Sequence, residues 1–444
     1  MKRYIYIGVF SLMVLMSTAQ ESSDVWTMDR CMQYAVEHST GVMKKQYEAA
    51  SSRSDYHSAV ASFFPTLDAQ TGGQYNWGRG INPETNTYSN VTTFNNYYEL
   101  YTSLSVFDAG RTFNQWRQAK VGRQLGYNNV QKAKDDKAIE VMQAFVDVVY
   151  TQGCVKLAED KLKESRMALH KVERQEELGL KGKPDVAQIK AQEAEDDYNL
   201  THQQNLYDAA LLKLKTAMNF PTKDLLPVDT TMQHFSPLMR VENSDDLFQY
   251  ASNNNPDAMA ASLNVKKSRL QYSIDKSKLM PSLTFSAGIN TNYYENLSNN
   301  ATVQSFHSQM KNNRGEFLYA TLRIPIVDFV TRSTVKRSRN NMLISQLEKD
   351  ETMRKLQSDI EQAVMDCNGY AKEITQMENK VDADSLAFHA TSRKFEEGMQ
   401  SAIDLYTSAN TLLLSRVTLL QKRMLYVLKD RLVDYYKGES LIKQ

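Results

Sequence analysis

The apolar positions of this chain follow two periods. One recurs every seven residues, at Met353, Ile360, Cys367, Ile374, Val381, Phe388 and Phe395, and again at Val141, Val148, Val155, Leu162 and Leu169, 219 positions earlier. Leu405, Leu412, Leu419, Tyr426 and Val433 carry the same spacing. A stripe at sevens keeps one helix face on a partner, so these segments predict long coiled-coil hairpins with the returning helix antiparallel to the one before it. From Arg111 to Leu178 such a helix would be about 100 Å long.

The second period is two. Leu67, Ala69, Thr71, Gly73, Tyr75 and Trp77 alternate with Asp68, Gln70, Gly72, Gln74 and Asn76, and Phe94, Tyr98, Leu100, Leu104 and Val106 form an answering face. Leu283, Phe285, Ala287 and Ile289 alternate with Ser282, Thr284, Ser286 and Gly288, answered by Leu318, Ala320, Leu322, Ile324 and Ile326. The pattern predicts two hairpins with strands at about 65–78 and 92–108, and about 281–294 and 315–328. Long polar loops, Gly78 to Val91 and Glu295 to Arg314, join them.

The residues themselves also repeat. An offset of 216 places Asp29, Gln33, Tyr34 and Ala35 on Asp245, Gln249, Tyr250 and Ala251, and Pro65, Leu67, Gly72 and Asn76 on Pro281, Leu283, Gly288 and Asn292. The offset is 220 at Asp108 and Asp328, and 219 where Gly179 and Asp185 fall on Gly398 and Asp404. The chain is therefore written twice, each copy reading helix, strand, strand, long helix, helix. Residues 20–220 form the first copy, with a helical hairpin at about 111–219, and residues 243–437 the second, with one at about 330–436. Pro221, Pro227 and Pro237 mark residues 221–242 as the joint, and residues 438–444 are a tail.

Residues 1–19 read as a secretory signal peptide: Lys2 and Arg3, an apolar run from Ile5 to Met16, then Ser17, Thr18 and Ala19, with cleavage expected after Ala19. That run is too short to span a bilayer, which takes about 20 apolar residues. No cysteine sits at the expected new N-terminus, Gln20, so a lipid anchor there is not supported. With no later apolar run long enough for a spanning helix, anything the mature chain does inside a membrane falls to β-strands.

Composition narrows the function. The 53 basic and 52 acidic residues nearly cancel, which leaves no global field for nucleic acid, and 3 cysteines make no disulfide framework. Only 17 glycines and 9 prolines punctuate 444 residues, as long elements require. No phosphate-binding loop, dinucleotide fingerprint, zinc-protease helix or serine-nucleophile elbow occurs, the 7 histidines have no metal-ligand spacing, and no catalytic or cofactor constellation emerges. The 20 methionines are spread through helix faces, where packing explains them, and Cys367 on the seam reads as a small buried hydrophobe. Amphipathic strands of about ten residues with many aromatics are the pattern of an outer-membrane barrel. Four strands cannot close one, so several subunits must combine.

The signal peptide, the duplication, the prolines opening each hairpin (Pro65, Pro281), the run Val106 to Arg111 and the Gly-x5-Asp turns at Gly179 and Gly398 together resemble the TolC-like outer-membrane efflux protein family over nearly the whole mature chain. The resemblance implies a homotrimer in which twelve strands form one barrel in the outer-membrane lipid and twelve helices continue it as a tunnel across the periplasm. It implies a passive exit duct of a tripartite efflux or type I secretion system, fed by an inner-membrane efflux pump or ABC transporter through a periplasmic adaptor. A non-conducting coiled-coil structural or adhesion protein of the envelope is the alternative, but such a spacer needs no matched pair of alternating strands.

Three groups of residues carry site expectations: the helical tips, the periplasmic aperture and the strand-to-helix bends. Gly179, Pro184, Asp185 and Gly398 form the helical tips and, by resemblance, the adaptor-docking end. Asp185 and Asp404 each fall in the first turn of a helix, where the helix dipole favours a carboxylate, so capping explains both. Resemblance adds that Asp404 matches the position whose acid rings the periplasmic aperture. It departs from the family pattern at Thr407 and Gln400, where a second acid and an arginine would stand; Asp185 with Lys181 or Lys183 is a substitute latch. Asp108, Gly110 and Asp328 mark the strand-to-helix bends, and the second bend, Val327 to Thr331, lacks the glycine of the first.

Overall fold

A computed structural model describes residues 25–82, 86–229, 237–298 and 304–442. The signal-peptide segment lies outside the described residues. In chain order the first half comprises α1 (Met28–His38), α2 (Thr40–Ala61), β1 (Thr66–Asn82), β2 (Thr87–Phe107), α3 (Arg111–Glu177) and α4 (Lys183–Met218). The second comprises α5 (Ser244–Asn254), α6 (Pro256–Ser277), β3 (Ser282–Asn296), α7 (Phe306–Asn312), β4 (Gly315–Arg323), α8 (Phe329–Glu396) and α9 (Ala402–Lys437). Where the sequence pattern suggests one opening helix per half there are two. Ser39 leaves helical geometry and its hydroxyl accepts from the Val42 N–H, while Asn255 accepts from the Asp257 N–H ahead of Pro256, which has no N–H to continue the previous helix.

The strands form one antiparallel sheet in the order β1-β2-β3-β4, and the β2–β3 pairing fuses the halves. Ala69 lies opposite Leu100 and Leu100 opposite Ile289; Tyr75 faces Phe94, Leu104 faces Phe285 and Ala287 faces Leu318. Directly opposed residues share a sheet face. The apolar sets of all four strands therefore merge into one surface, with Asp68, Gln70, Gln74, Glu99, Asn95 and Asn290 on the other. Leu67, Trp77, Leu318 and Leu322 remain widely exposed on the apolar side.

Strand ends differ from expectation in three places. The ladder of β1 and β2 runs through Ile81 opposite Tyr88, so most of the expected Gly78 to Val91 loop is paired strand, since the alternation persists and Tyr88 and Val91 favour it. Strand β4 stops at Arg323 because Pro325 cannot donate to a ladder, which leaves Ile324 and Ile326 beyond it. The expected Glu295 to Arg314 loop holds α7, which closes the edge of β3 where β4 does not reach. Gln309 accepts from the Tyr294 N–H at 3.0 Å and donates to the Tyr294 carbonyl at 2.9 Å, and Asn313 donates to the Asn292 carbonyl at 2.8 Å. Side-chain amides thus stand in for an absent strand.

Two glycines 216 positions apart admit rings to the polar face. A Cβ on Gly72 would come within 2.7 Å of the Tyr97 ring, and one on Gly288 within 2.6 Å of Phe317 and 2.7 Å of the Leu100 carbonyl. Each ring comes from the residue directly across the ladder.

Below the sheet, α2 packs on α3, α3 on α6 and α6 on α8. These helices are joined to β1, β2, β3 and β4 respectively, so the order of strands becomes the order of helices. Helices α3 and α8, 67 and 68 residues long, then pair with α4 and α9. Val141, Val148 and Leu162 are buried in the first hairpin, and Ile360, Cys367, Ile374, Phe388 and Phe395 in the second. Val155, Leu169, Met353 and Val381 are half-buried on the same seams. Phe145, Met142, Met32, Leu214 and Met218 make the largest core where α1 meets α3 and α4. Burial pushes the Cys367 thiol up to about 11, as befits a packed, inert sulfur.

Residues 221–229 of the joint pair with Trp26, and residues 237–242 are pinned to the second hairpin. Tyr426 donates to the Leu238 carbonyl at 2.8 Å, Asn368 accepts from the Arg240 N–H and donates to its carbonyl, and the Arg240 guanidinium reaches Asp430 at 2.6 Å and Asp434 at 2.7 Å. Burial opposes that charge, but Asp430 and Asp434 outweigh it and raise the Arg240 pKa.

Candidate functional site: hairpin tips and strand-to-helix bends

Both tips have the same backbone chemistry. Past α3, Gly179 has φ +75° and Leu180 donates to the Gln175 carbonyl at 2.8 Å; past α8, Gly398 has φ +76° and Met399 donates to the Lys394 carbonyl at 2.8 Å. This is a left-handed helix ending that returns the chain at once. Nothing lies within 4 Å of a Cβ at either glycine, so the backbone angle, not space, requires them. Pro184 sits in the first turn of α4 and Asp185 accepts from the Gly182 N–H at 3.1 Å. Asp404 accepts from the Ser401 N–H and hydroxyl at 3.2 and 2.7 Å.

Lys181 does not latch to Asp185: its ammonium lies 5.6 Å from the centroid of the buried Phe395 ring. An ion pair that spacing could not reveal, Lys171 of α3 with Glu396 of α8 at 3.4 Å, ties one hairpin to the other near the tips. The pair lines one end of a 330 Å³ cavity between the hairpins, walled further by Lys161, Ser165, Phe388, Phe395 and Tyr406. Burial lowers the Lys161 pKa against the opposing pull of Asp196 and Glu164. Leu178, Leu180, Met399 and Ile403 project from the tips into solvent.

The bends differ by one residue. Asp108 accepts from the Thr112 N–H at 2.9 Å across Ala109 and Gly110, which take φ +55° and +77°. Asp328 accepts from the Thr331 N–H at 2.8 Å and caps α8 directly, with no left-handed residue. Thr112 and Thr331 are 219 apart and the aspartates 220, so the first copy holds an extra residue that the left-handed pair absorbs, and the second needs no glycine.

Among the described residues no helix is long and apolar enough to cross a membrane, and no group of three or more His, Cys, Asp or Glu could hold a metal ion. A sheet apolar on one face, open at both edges and continued strand by strand into long helical hairpins, has the fold of the TolC-like outer-membrane channels. The chain superposes on the outer membrane protein VceC of Vibrio cholerae with TM-score 0.79 and 14% identity, covering 93% of this chain and 96% of that one. The CmeC outer membrane channel of Campylobacter jejuni gives 0.78 at 12% identity, with 93% and 87% covered. The open state of the MtrE channel of Neisseria gonorrhoeae gives 0.68 at 17%, with 92% and 88% covered. Residues 247–428 match the outer membrane efflux protein family model, so the second half carries that family's sequence signature and the first shares its fold. No curated protein matches by sequence.

Proposed function

We propose that this protein is the outer-membrane exit duct of a tripartite efflux or type I secretion system. The observation that carries the reading is the single apolar face built from all four strands, left uncovered by the rest of the chain. An isolated sheet with that face and the free edges of β1 and β4 is unstable in lipid until the edges pair, and three copies would close β4 of each onto β1 of the next. The helices α2, α3, α6 and α8 would then continue the wall into the periplasm. The exposed Leu178, Leu180 and Met399 suit the tips to an adaptor that bridges to an inner-membrane pump.

In this assembly three copies of Asp404, on the exposed start of α9, stand around the periplasmic aperture and favour cations, while Lys171–Glu396 holds the hairpins together. The matched ladder of two hairpins weighs against a structural spacer.

The test is purification of the mature chain and reconstitution into planar bilayers. A trimer that shifts on gels when heated and gives discrete conductance steps is expected. A monomer soluble without detergent, with no conductance, would overturn the proposal.

A further inference from the structure

Where the sheet gives way to helices, positive charge gathers over the opening turns of α3 and α8. Helix α3 opens with Arg111, Arg117, Lys120 and Arg123, and α8 with Arg332, Lys336, Arg337 and Arg339; neither 111–123 nor 329–339 contains an acid. A helix start attracts carboxylates and repels cations. Helices α4, α5, α6 and α9 obey with Asp185, Asp245, Asp257 and Asp404 in their first turns. At α3 and α8 the carboxylate stands just before the helix, Asp108 reaching the Thr112 N–H and Arg111, and Asp328 capping α8, and inside only cations follow. Two of the cations are matched across the repeat at an offset of 219, Arg117 with Lys336 and Lys120 with Arg339. In a chain of net charge +1, this local excess is complementary to an anionic partner.

Aromatic rings share the same helix faces. Phe113 and Trp116 lie 5.4 Å apart; the Arg117 guanidinium sits 5.9 Å from the Phe113 centroid, the Lys120 ammonium 5.9 Å from Trp116, and Arg332 5.9 Å from Phe329. Phe113 and Phe329 are 51% and 72% exposed, so no part of this chain covers them. Between them and the apolar sheet face, Val106, Ile324, Ile326 and Val330 are exposed as well. Arg111 and Arg323 aside, the exposed surface going from strand to helix changes from aliphatic to aromatic to cationic. That sequence matches a lipid leaflet passing from acyl chains through the glycerol zone to phosphate.

We infer that the first three turns of α3 and α8 form a binding surface for the phosphodiester headgroups of anionic glycerophospholipids in the periplasmic leaflet. The inference rests on the proposed reading that the sheet is embedded in lipid. The rings seat the helix starts at the interface, and Arg117, Lys120, Arg332 and Lys336 contact the phosphates.

Tryptophan fluorescence separates the two ideas. In one variant, Trp26→Phe with Trp77→Phe leaves Trp116; in another, Trp26→Phe with Trp116→Phe leaves Trp77 on the apolar sheet face. Each is reconstituted in vesicles containing brominated phosphatidylglycerol or brominated phosphatidylethanolamine. Trp77 is quenched equally by both. Trp116 is quenched preferentially by phosphatidylglycerol, and the preference falls about fivefold for each of Arg117→Gln and Lys120→Gln and declines with added salt. Quenching of Trp77 with no lipid preference at Trp116, or a preference that survives both substitutions, overturns this inference alone. Failure of either lipid to quench Trp77 overturns the embedded sheet, and this inference with it.

Discussion

Ser165 on α3 donates a hydrogen bond to the buried Asp196 on α4, and 219 positions later the partners are exchanged: Ser415 on α9 donates to Asp384 on α8. Each hairpin thus places one serine and one carboxylate across its seam at the same level, with the acid on opposite helices. Asp196 also accepts from Gln192 at 3.0 Å, and Asp384 from Lys380 at 2.6 Å. Each pair ties the two helices of its hairpin at one level, alongside ion pairs such as Lys213–Asp147 in the first and Arg423–Glu378 in the second.

Ser165→Asp alone sets two carboxylates face to face and destabilises the first hairpin by about 2–4 kcal/mol. Adding Asp196→Ser recreates the second hairpin's arrangement and recovers most of that loss. Thermal unfolding of the two variants, compared with the parent, checks the recovery.

The Lys380 ammonium and the Ser415 hydroxyl hold the Asp384 carboxyl below its usual value of 3.8. A depressed folded-state pKa stabilises the protein above the unfolded value and loses that contribution as pH falls through the folded value. Melting temperatures should therefore fall more steeply below about pH 4 for the parent than for Asp384→Asn. Parallel curves for the two proteins would refute this.

At the tips, Lys171→Glu faces Glu396 with a like charge. The pair is exposed and worth at most about 1 kcal/mol, so folding is unaffected, but in the proposed trimer the contact that holds the two hairpins together near the aperture is lost. Single-channel conductance rises in Lys171→Glu and returns to the parent value when Glu396→Lys is added. Asp404→Asn leaves assembly intact and reduces cation preference, read as a smaller reversal potential under a salt gradient.

The two ring-bearing glycines differ in what surrounds them. Gly72→Ala meets the outer edge of the Tyr97 ring, which can move, whereas Gly288→Ala also meets the Leu100 carbonyl, which cannot. The heat-induced gel shift should therefore occur at lower temperature in Gly288→Ala than in Gly72→Ala.

Arg240→Ala removes the cation that Asp430 and Asp434 share and loosens the joint's hold on α9, leaving the Tyr426–Leu238 hydrogen bond. A loss of about 2–4 kcal/mol is expected, with residues 237–242 becoming sensitive to limited proteolysis.

The sequence by itself determined whatever is periodic. Sevens set the seams from Val141 to Leu169 and from Met353 to Phe395, and twos set the sheet's apolar face, because each side chain's direction follows from helix or strand geometry alone. The tip glycines were legible too, since a tight return after a helix calls for a left-handed residue. Tertiary structure decided what depends on distant partners. Gln309 reads as a loop residue until β4 proves too short to cover Tyr294, Lys171 finds Glu396 across 225 positions through hairpin packing, and Arg240 gains its acids from α9. The exchange of serine and aspartate between the seams was hidden for the same reason: a hydrogen bond across two helices depends on their relative register, which packing sets and no local spacing encodes.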